Sequence, residues 1–141
     1  MKDIYTLSVL LSFILILGCS KDFLKKYDKR IIGTWRISDV DRIGFGGNTD
    51  NLPFQGGTFT FNEGGSLTYV NPANVTFQGS WDINQHTTDN ETYKSLVITA
   101  VDFINQKVIT EYYENINFVG TNHFKTKIFS GLHTYVTHFR R

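Results

Sequence analysis

From Ile31 onward the apolar residues recur with a period of two, and that property restricts the fold more than any other. "GTFTFN" sets Phe59 and Phe61 against Thr58 and Thr60, and "SLTYV" sets Leu67 and Tyr69 against Ser66 and Thr68. "VTFQGSWDI" sets Val75, Phe77, Gly79, Trp81 and Ile83 against polar neighbours. Successive side chains of a strand point to opposite faces, so this pattern describes strands with one dry face and one wetter face. "YKSLVITAVDF", "KVITEYYENINF", "HFKTKIF" and "HTYVTHF" are rich in branched and aromatic residues, as strands are. The pattern predicts about eight strands from residue 31 on.

Turn chemistry joins neighbouring strands into a meander. Asn62-Glu63-Gly64-Gly65 and Asn71-Pro72-Ala73-Asn74 have tight-turn composition, and Gln85 to Glu91 reads as a longer polar loop. A two-residue turn at Ser130-Gly131 pairs Phe129 with Leu132, Ile128 with His133, Thr126 with Tyr135 and Phe124 with Thr137 on one face. Lys125, Lys127, Val136, His123 and His138 fall on the other, with His123 opposite His138. Short sequential antiparallel strands in this number close best into a barrel, because closure removes the unpaired edges. An open sandwich is the alternative. The expected fold is therefore all-β, an eight-stranded antiparallel up-and-down barrel over residues 31–141, behind a signal peptide and a short linker.

The stretch "MKDIYTLSVLLSFILILG", residues 1–18, has an early lysine and an apolar run from Val9 to Leu17, the plan of a secretory signal peptide. The run is shorter than the roughly 20 apolar residues needed to span a bilayer. Ile16-Leu17-Gly18-Cys19 resembles the lipobox of bacterial lipoproteins. The resemblance implies cleavage before Cys19, thioether linkage of its thiol to diacylglycerol, and acylation of the new amine with fatty chains such as palmitate. Two or more chains anchor stably where one does so only marginally. Residues 19–30 form the lipidated tether, in which Phe23, Leu24 and Tyr27 recur at helical spacing. Ser20-Lys21-Asp22-Phe23 is similar to the export tags of surface-displayed Bacteroidota lipoproteins. The implied location is the outer membrane, lipid-anchored, with display on the cell surface.

With Cys19 the only cysteine, no disulfide or thiolate metal site is available, and the core alone must hold the fold. A net charge of +1 gives no electrostatic footprint for nucleic acid.

Gly33-Thr34-Trp35 at the start of the first strand resembles the Gly-x-Trp element of the lipocalin superfamily. The order "GTW", "GTFTFNEGGSLTY", "GSW" is similar to the small lipocalin-like domains of Bacteroidota lipoproteins. The resemblance implies that Trp35 plugs the closed end of the barrel, with Gly33 beside it and Arg140 or Arg141 packed across it. Trp81 is expected to be an ordinary core aromatic.

The remaining motifs argue mostly by exclusion. "IGFGGNTDNLPFQGG", residues 43–57, lacks the Gly-Lys-Ser/Thr ending of a phosphate-cradling loop, and in a barrel of this kind it lies over the mouth as a lid carrying Phe45, Leu52 and Phe54. His123 and His138 have no third ligand nearby, so no metal is expected. Asp39 with Asp41, and Glu111 with Glu114, lack an identifiable acid or base partner, and no catalytic spacing occurs. The expectation is a non-enzymatic, monomeric binding module that needs no cofactor and is tied to a membrane by its lipid. Its interior, lined by Phe45, Phe54, Phe59, Phe61, Leu67, Tyr69, Phe77, Ile98, Tyr112 and Phe124, would hold a small hydrophobic ligand. The alternative is a filled barrel that serves as a scaffold and binds a protein through its loops, for instance as a protease inhibitor. A cavity of about 300 Å³ or more favours the first, and a packed interior or an exposed aromatic loop the second.

Overall fold

The computed structural model of the chain describes residues 26–44 and 52–141; Cys19, Phe45 and the stretch 1–18 lie outside them. A single helical turn, α1 (Tyr27–Ile31), precedes eight strands: β1 (Gly33–Ile43), β2 (Thr58–Phe61), β3 (Ser66–Val70), β4 (Thr76–Thr87), β5 (Thr92–Asp102), β6 (Lys107–Phe118), β7 (His123–Ser130) and β8 (His133–Arg140). Each strand pairs antiparallel with the next, and β8 returns to β1 from Arg36↔Arg140 to Ile43↔Thr134. The sheet is a closed barrel in up-and-down order.

Inward-facing residues alternate as the period of two requires. β2 buries Phe59 and Phe61, β3 buries Leu67 and Tyr69, and β7 and β8 bury Phe124, Thr126 and Ile128 against Tyr135, Thr137 and Phe139. The rings fill the lower barrel in direct contact: Phe124 stacks on Phe139 at 4.4 Å, Phe59 on Phe61 at 5.7 Å, and Trp35 meets Phe124 edge-on at 4.8 Å. Gly79 is the inward residue of β4 where a side chain has no room, since an added Cβ would strike the backbone of Thr99 and Ala100. The glycine of "GSW" thus lets β4 and β5 approach.

Asn62-Glu63-Gly64-Gly65 folds as a short 3-10 turn with Gly64 at φ 77°. In the next turn the Asn71 side chain accepts the amides of Ala73 and Val75, both at 2.9 Å.

Four expectations change. The loop expected from Gln85 to Glu91 is shorter, because Gln85 and His86 continue the β4–β5 ladder opposite Lys94 and Tyr93. The last hairpin turns at Gly131-Leu132, with Gly131 at φ 60°, which moves the register by two residues: Ile128 opposes Tyr135, Thr126 opposes Thr137 and Phe124 opposes Phe139. A shift of two keeps every side chain on its face, so the expected inner and outer sets survive, except that Phe129 and Leu132 are exposed. His123 consequently opposes Arg140, and it meets His138 only diagonally, with the rings stacked at 5.4 Å.

On β6, Tyr113 faces inward and Tyr112 outward, contrary to the assignment of Tyr112 to the lining. Alternation counted back from the buried Ile116 and Phe118 would place Tyr112 inside. A bulge between Glu114 and Asn117, with Asn115 at φ 55°, breaks that phase. Finally, α1 packs on the barrel base through the fully buried Ile31 and through Tyr27, which meets Phe118 at 5.3 Å. The end of the stretch assigned to the tether is therefore part of the domain.

Candidate functional site

The two ends of the barrel are built differently. At the base, Trp35 is 1% exposed and donates its indole N–H to the Ile31 carbonyl at 2.6 Å. The Arg141 guanidinium lies 4.5 Å from the Trp35 ring centroid and donates to the carbonyls of Ile32 and Arg30 at 2.7 and 3.0 Å. Gly33, at φ 123°, sits under that guanidinium, where a Cβ would come within 3.5 Å of it. Arg30 adds a second cation-π contact, 4.2 Å over Phe118, and donates to the Gly120 carbonyl at 2.8 Å. Of the two arginines considered for closure, Arg141 takes the place; Arg140 is exposed in the ladder between Arg36 and His123. Trp81 is a core aromatic whose N–H is satisfied by the Asn62 carbonyl at 3.1 Å.

At the mouth, the described part of the β1–β2 connection folds inward. Phe54, at φ 66° and 4% exposed, packs edge-on against Phe59 at 5.5 Å and Tyr69 at 4.8 Å. Beside it opens a pocket of about 470 Å³ lined by Leu52, Pro53, Phe54, Gln55, Tyr69, Asn71, Phe77, Lys107 and Ile109. Three of the residues expected to line a ligand site, Phe54, Tyr69 and Phe77, come together there. Phe59, Phe61, Leu67, Ile98 and Phe124 are buried in the packed interior below.

Below the pocket, β6 carries two polar groups whose inward orientation the alternation of residues did not foretell. Along β6, Ile109, Glu111 and Tyr113 oppose the buried Ala100, Ile98 and Leu96 and share their inward face. Burial pushes the Glu111 carboxyl above the usual carboxylate range, although the Tyr112 amide donates to it at 3.0 Å and opposes that shift. Burial raises the Tyr113 phenol well above its ordinary value, with smaller contributions from the charges of Glu111 and Tyr69. The Tyr113 hydroxyl is buried without a hydrogen-bond partner among the described residues. Neighbouring β6 and β7 are laddered only from Glu114↔Lys127 to Phe118↔Phe124, so the upper part of β6 runs past its partner beside Glu111. The one signal that could have found Glu111 and Tyr113 was the bulge, and a bulge leaves little trace in residue types.

The rim of the mouth is apolar and exposed. Six of the eight exposed large hydrophobics of the described chain lie there: Ile43, Phe103, Ile104, Val108, Phe129 and Leu132. The β5–β6 turn that carries Phe103 and Ile104 is held by Asp102, whose carboxylate accepts the amides of Ile104 and Asn105 at 3.0 and 3.1 Å and the Asn105 side chain at 2.6 Å. The Asn105 side-chain bond is the largest cause holding the Asp102 carboxyl below its usual range, followed by the Asn105 amide.

A larger cleft, about 820 Å³, lies outside the barrel at its base, between α1 and the turn Glu63–Gly65. Its walls include Lys26, Lys29, Lys94, Asp28, Glu63 and Asp82. Such charged walls offer less to an apolar ligand than the mouth does, because apolar ligands are held mainly by the apolar area they bury. On the outer wall, His138 bonds Asp41 at 3.0 Å and His123 at 3.3 Å. No group of three or more His, Cys, Asp or Glu residues that could hold a metal occurs among the described residues.

The fold is consistent with a lipocalin-like barrel. Comparison with protein-family profiles, curated proteins and solved structures finds no match to the chain.

Proposed function

We propose that this chain is a non-enzymatic, lipid-anchored outer-membrane protein of the kind found in Bacteroidota, in which a monomeric lipocalin-like barrel holds a small hydrophobic ligand at its mouth. The observation that carries this reading is the pocket of about 470 Å³ between the inward-folded Leu52–Gln55 segment and the ends of β3, β4 and β6. Its volume falls within the range of small-molecule sites, and its aromatic floor supplies the apolar area such sites use. The site is thus narrower than the whole interior, because the stacked rings of Phe59, Phe61, Phe124 and Phe139 fill the lower barrel.

Native mass spectrometry of the protein, together with uptake of a fluorescent fatty acid, tests the reading. A retained small molecule or saturable uptake supports it, and the lack of both sinks it. Anchoring through Cys19 is tested by Cys19→Ala, which should release the protein from the membrane fraction. Unchanged, detergent-dependent attachment with acyl labelling absent would refute lipidation.

A second reading, a scaffold that binds a protein partner through its loops, is favoured by one observation: Phe103 and Ile104 project at 74% and 90% exposure from a turn that Asp102 holds in place. Ile104→Asp should abolish such binding while leaving ligand uptake unchanged.

A further inference from the structure

We propose that the ligand carries a hydrogen-bond-donating head, a protonated amine or an alcohol, which the Glu111 carboxylate and the Tyr113 hydroxyl receive beneath the mouth pocket. The inference rests on the reading of that pocket as the ligand site, and it names the chemistry of the ligand.

Position comes first. Ile109 lines the pocket, and Glu111 is the next inward residue of the same strand, deeper by two residues or about 7 Å. Tyr113 follows after the same interval. Across the sheet at the level of Ile109 stand Ala100 and Gly79, the smallest inward residues of their strands. Tyr69, from the opposite side, lines the pocket and acts electrostatically on Tyr113. Glu111 and Tyr113 do not line the pocket themselves; they continue its β6 wall toward the interior.

Unsatisfied chemistry comes second. Buried hydroxyls in folded proteins nearly always have a partner, and an exception calls for an explanation. The Tyr113 side chain is 0% exposed and its hydroxyl has none. A carboxylate has two oxygens that accept hydrogen bonds, and the Tyr112 amide serves only Oε1 of Glu111. The Glu111 carboxylate accepts hydrogen bonds and the Tyr113 hydroxyl can accept one and donate one, so the pair suits a head that donates. A carboxylate or phosphate head would meet the Glu111 charge at close range in a poorly solvated place, where like charges are costly. An anionic head would find its cation at the rim, in Lys107, and would bind the other way round.

The test uses the full chain, the apolar probe N-phenyl-1-naphthylamine, and dodecylamine, 1-dodecanol and dodecanoate as competitors below their micellar concentrations. Displacement should be strongest for the amine, intermediate for the alcohol and weakest for the carboxylate. Glu111→Gln should weaken the amine about tenfold or more, the scale of a hydrogen bond to a charged group, and should leave the alcohol nearly unchanged. Tyr113→Phe removes only the unpartnered hydroxyl, so it should keep the melting temperature or raise it while weakening the alcohol. Equal displacement by the three head groups, or preference for dodecanoate, would overturn the head-group assignment and leave the pocket intact as a ligand site. Displacement by none of them would overturn the ligand reading itself.

Discussion

The base and the mouth of this barrel are made from the same eight strands and solve opposite problems. At the base the polar groups packed on Trp35 and Phe118 are paired: the indole N–H on Ile31, the Arg141 guanidinium on two carbonyls and on the ring face, and Arg30 on Gly120. Below the mouth a buried hydroxyl is unpaired and a carboxyl is held on an inward face, and at the mouth itself apolar side chains stand in solvent at the turns. A satisfied network contributes rigidity, whereas an incompletely satisfied one marks a place where stability has been given up. On the proposed reading, stability belongs to one end and binding to the other.

The sharpest way to break this contrast is Trp35→Ala, which empties the base. Loss of a buried large aromatic held in strands costs about 3–5 kcal/mol, measurable by denaturant unfolding, whereas Phe54→Ala, in a connection that can collapse into the space left, should cost less, about 2–3 kcal/mol, and change ligand uptake as well. Equal costs at both ends would end the distinction. Next in size is Gly79→Ala, which forces a methyl group into the backbone of β5 and should cost about 1–3 kcal/mol. Arg141→Ala should follow at about 1–2 kcal/mol, from the lost cation-π contact and carbonyl bonds, while Arg140→Ala should stay within about 0.5 kcal/mol.

The smallest effects concern pH, where two carboxyls near the mouth should behave oppositely. The folded-state pKa of Glu111 is raised, so its contribution to stability is full below the ordinary carboxylate range and is lost as pH rises through the folded value. Glu111→Gln should therefore gain stability relative to the native chain between acid and neutral pH. The folded-state pKa of Asp102 is depressed, so its contribution is present above the ordinary range and is lost as pH falls through the folded value. Asp102→Ala should be destabilised at neutral pH and approach the native chain in acid. Thermal unfolding across a pH series reads both, and parallel curves for the two variants would contradict the assignment.

The strand pattern was legible because one face of each strand is buried, so Phe59, Phe61, Leu67, Tyr69 and Phe77 declare their side by alternation alone. The last hairpin shows the limit. Faces repeat every two residues, so alternation does not distinguish a turn at Ser130-Gly131 from one at Gly131-Leu132. Tyr112 and Tyr113 show a second limit, because an extra residue at the bulge inverts the phase over the rest of β6 and turns inward one tyrosine in place of its neighbour. The base was legible in outline, through Gly33 and Trp35. Which arginine lies on the indole depends on where β8 ends against β1, a matter of register and not of composition.

Closure of β1 on β8 joins parts of the chain that are remote in sequence; Ser38 bonds the carbonyl of His138 one hundred residues away. Contacts of such separation form slowly, since the entropy of the long loop is lost before the pairing returns anything. During that interval β1 and β8 are both free edges, and the rings of Phe59, Phe124 and Phe139 have no lid. The ring is therefore a kinetic commitment as well as a shape: once shut it has no loose edge from which to unravel, and until shut it is open to wrong partners.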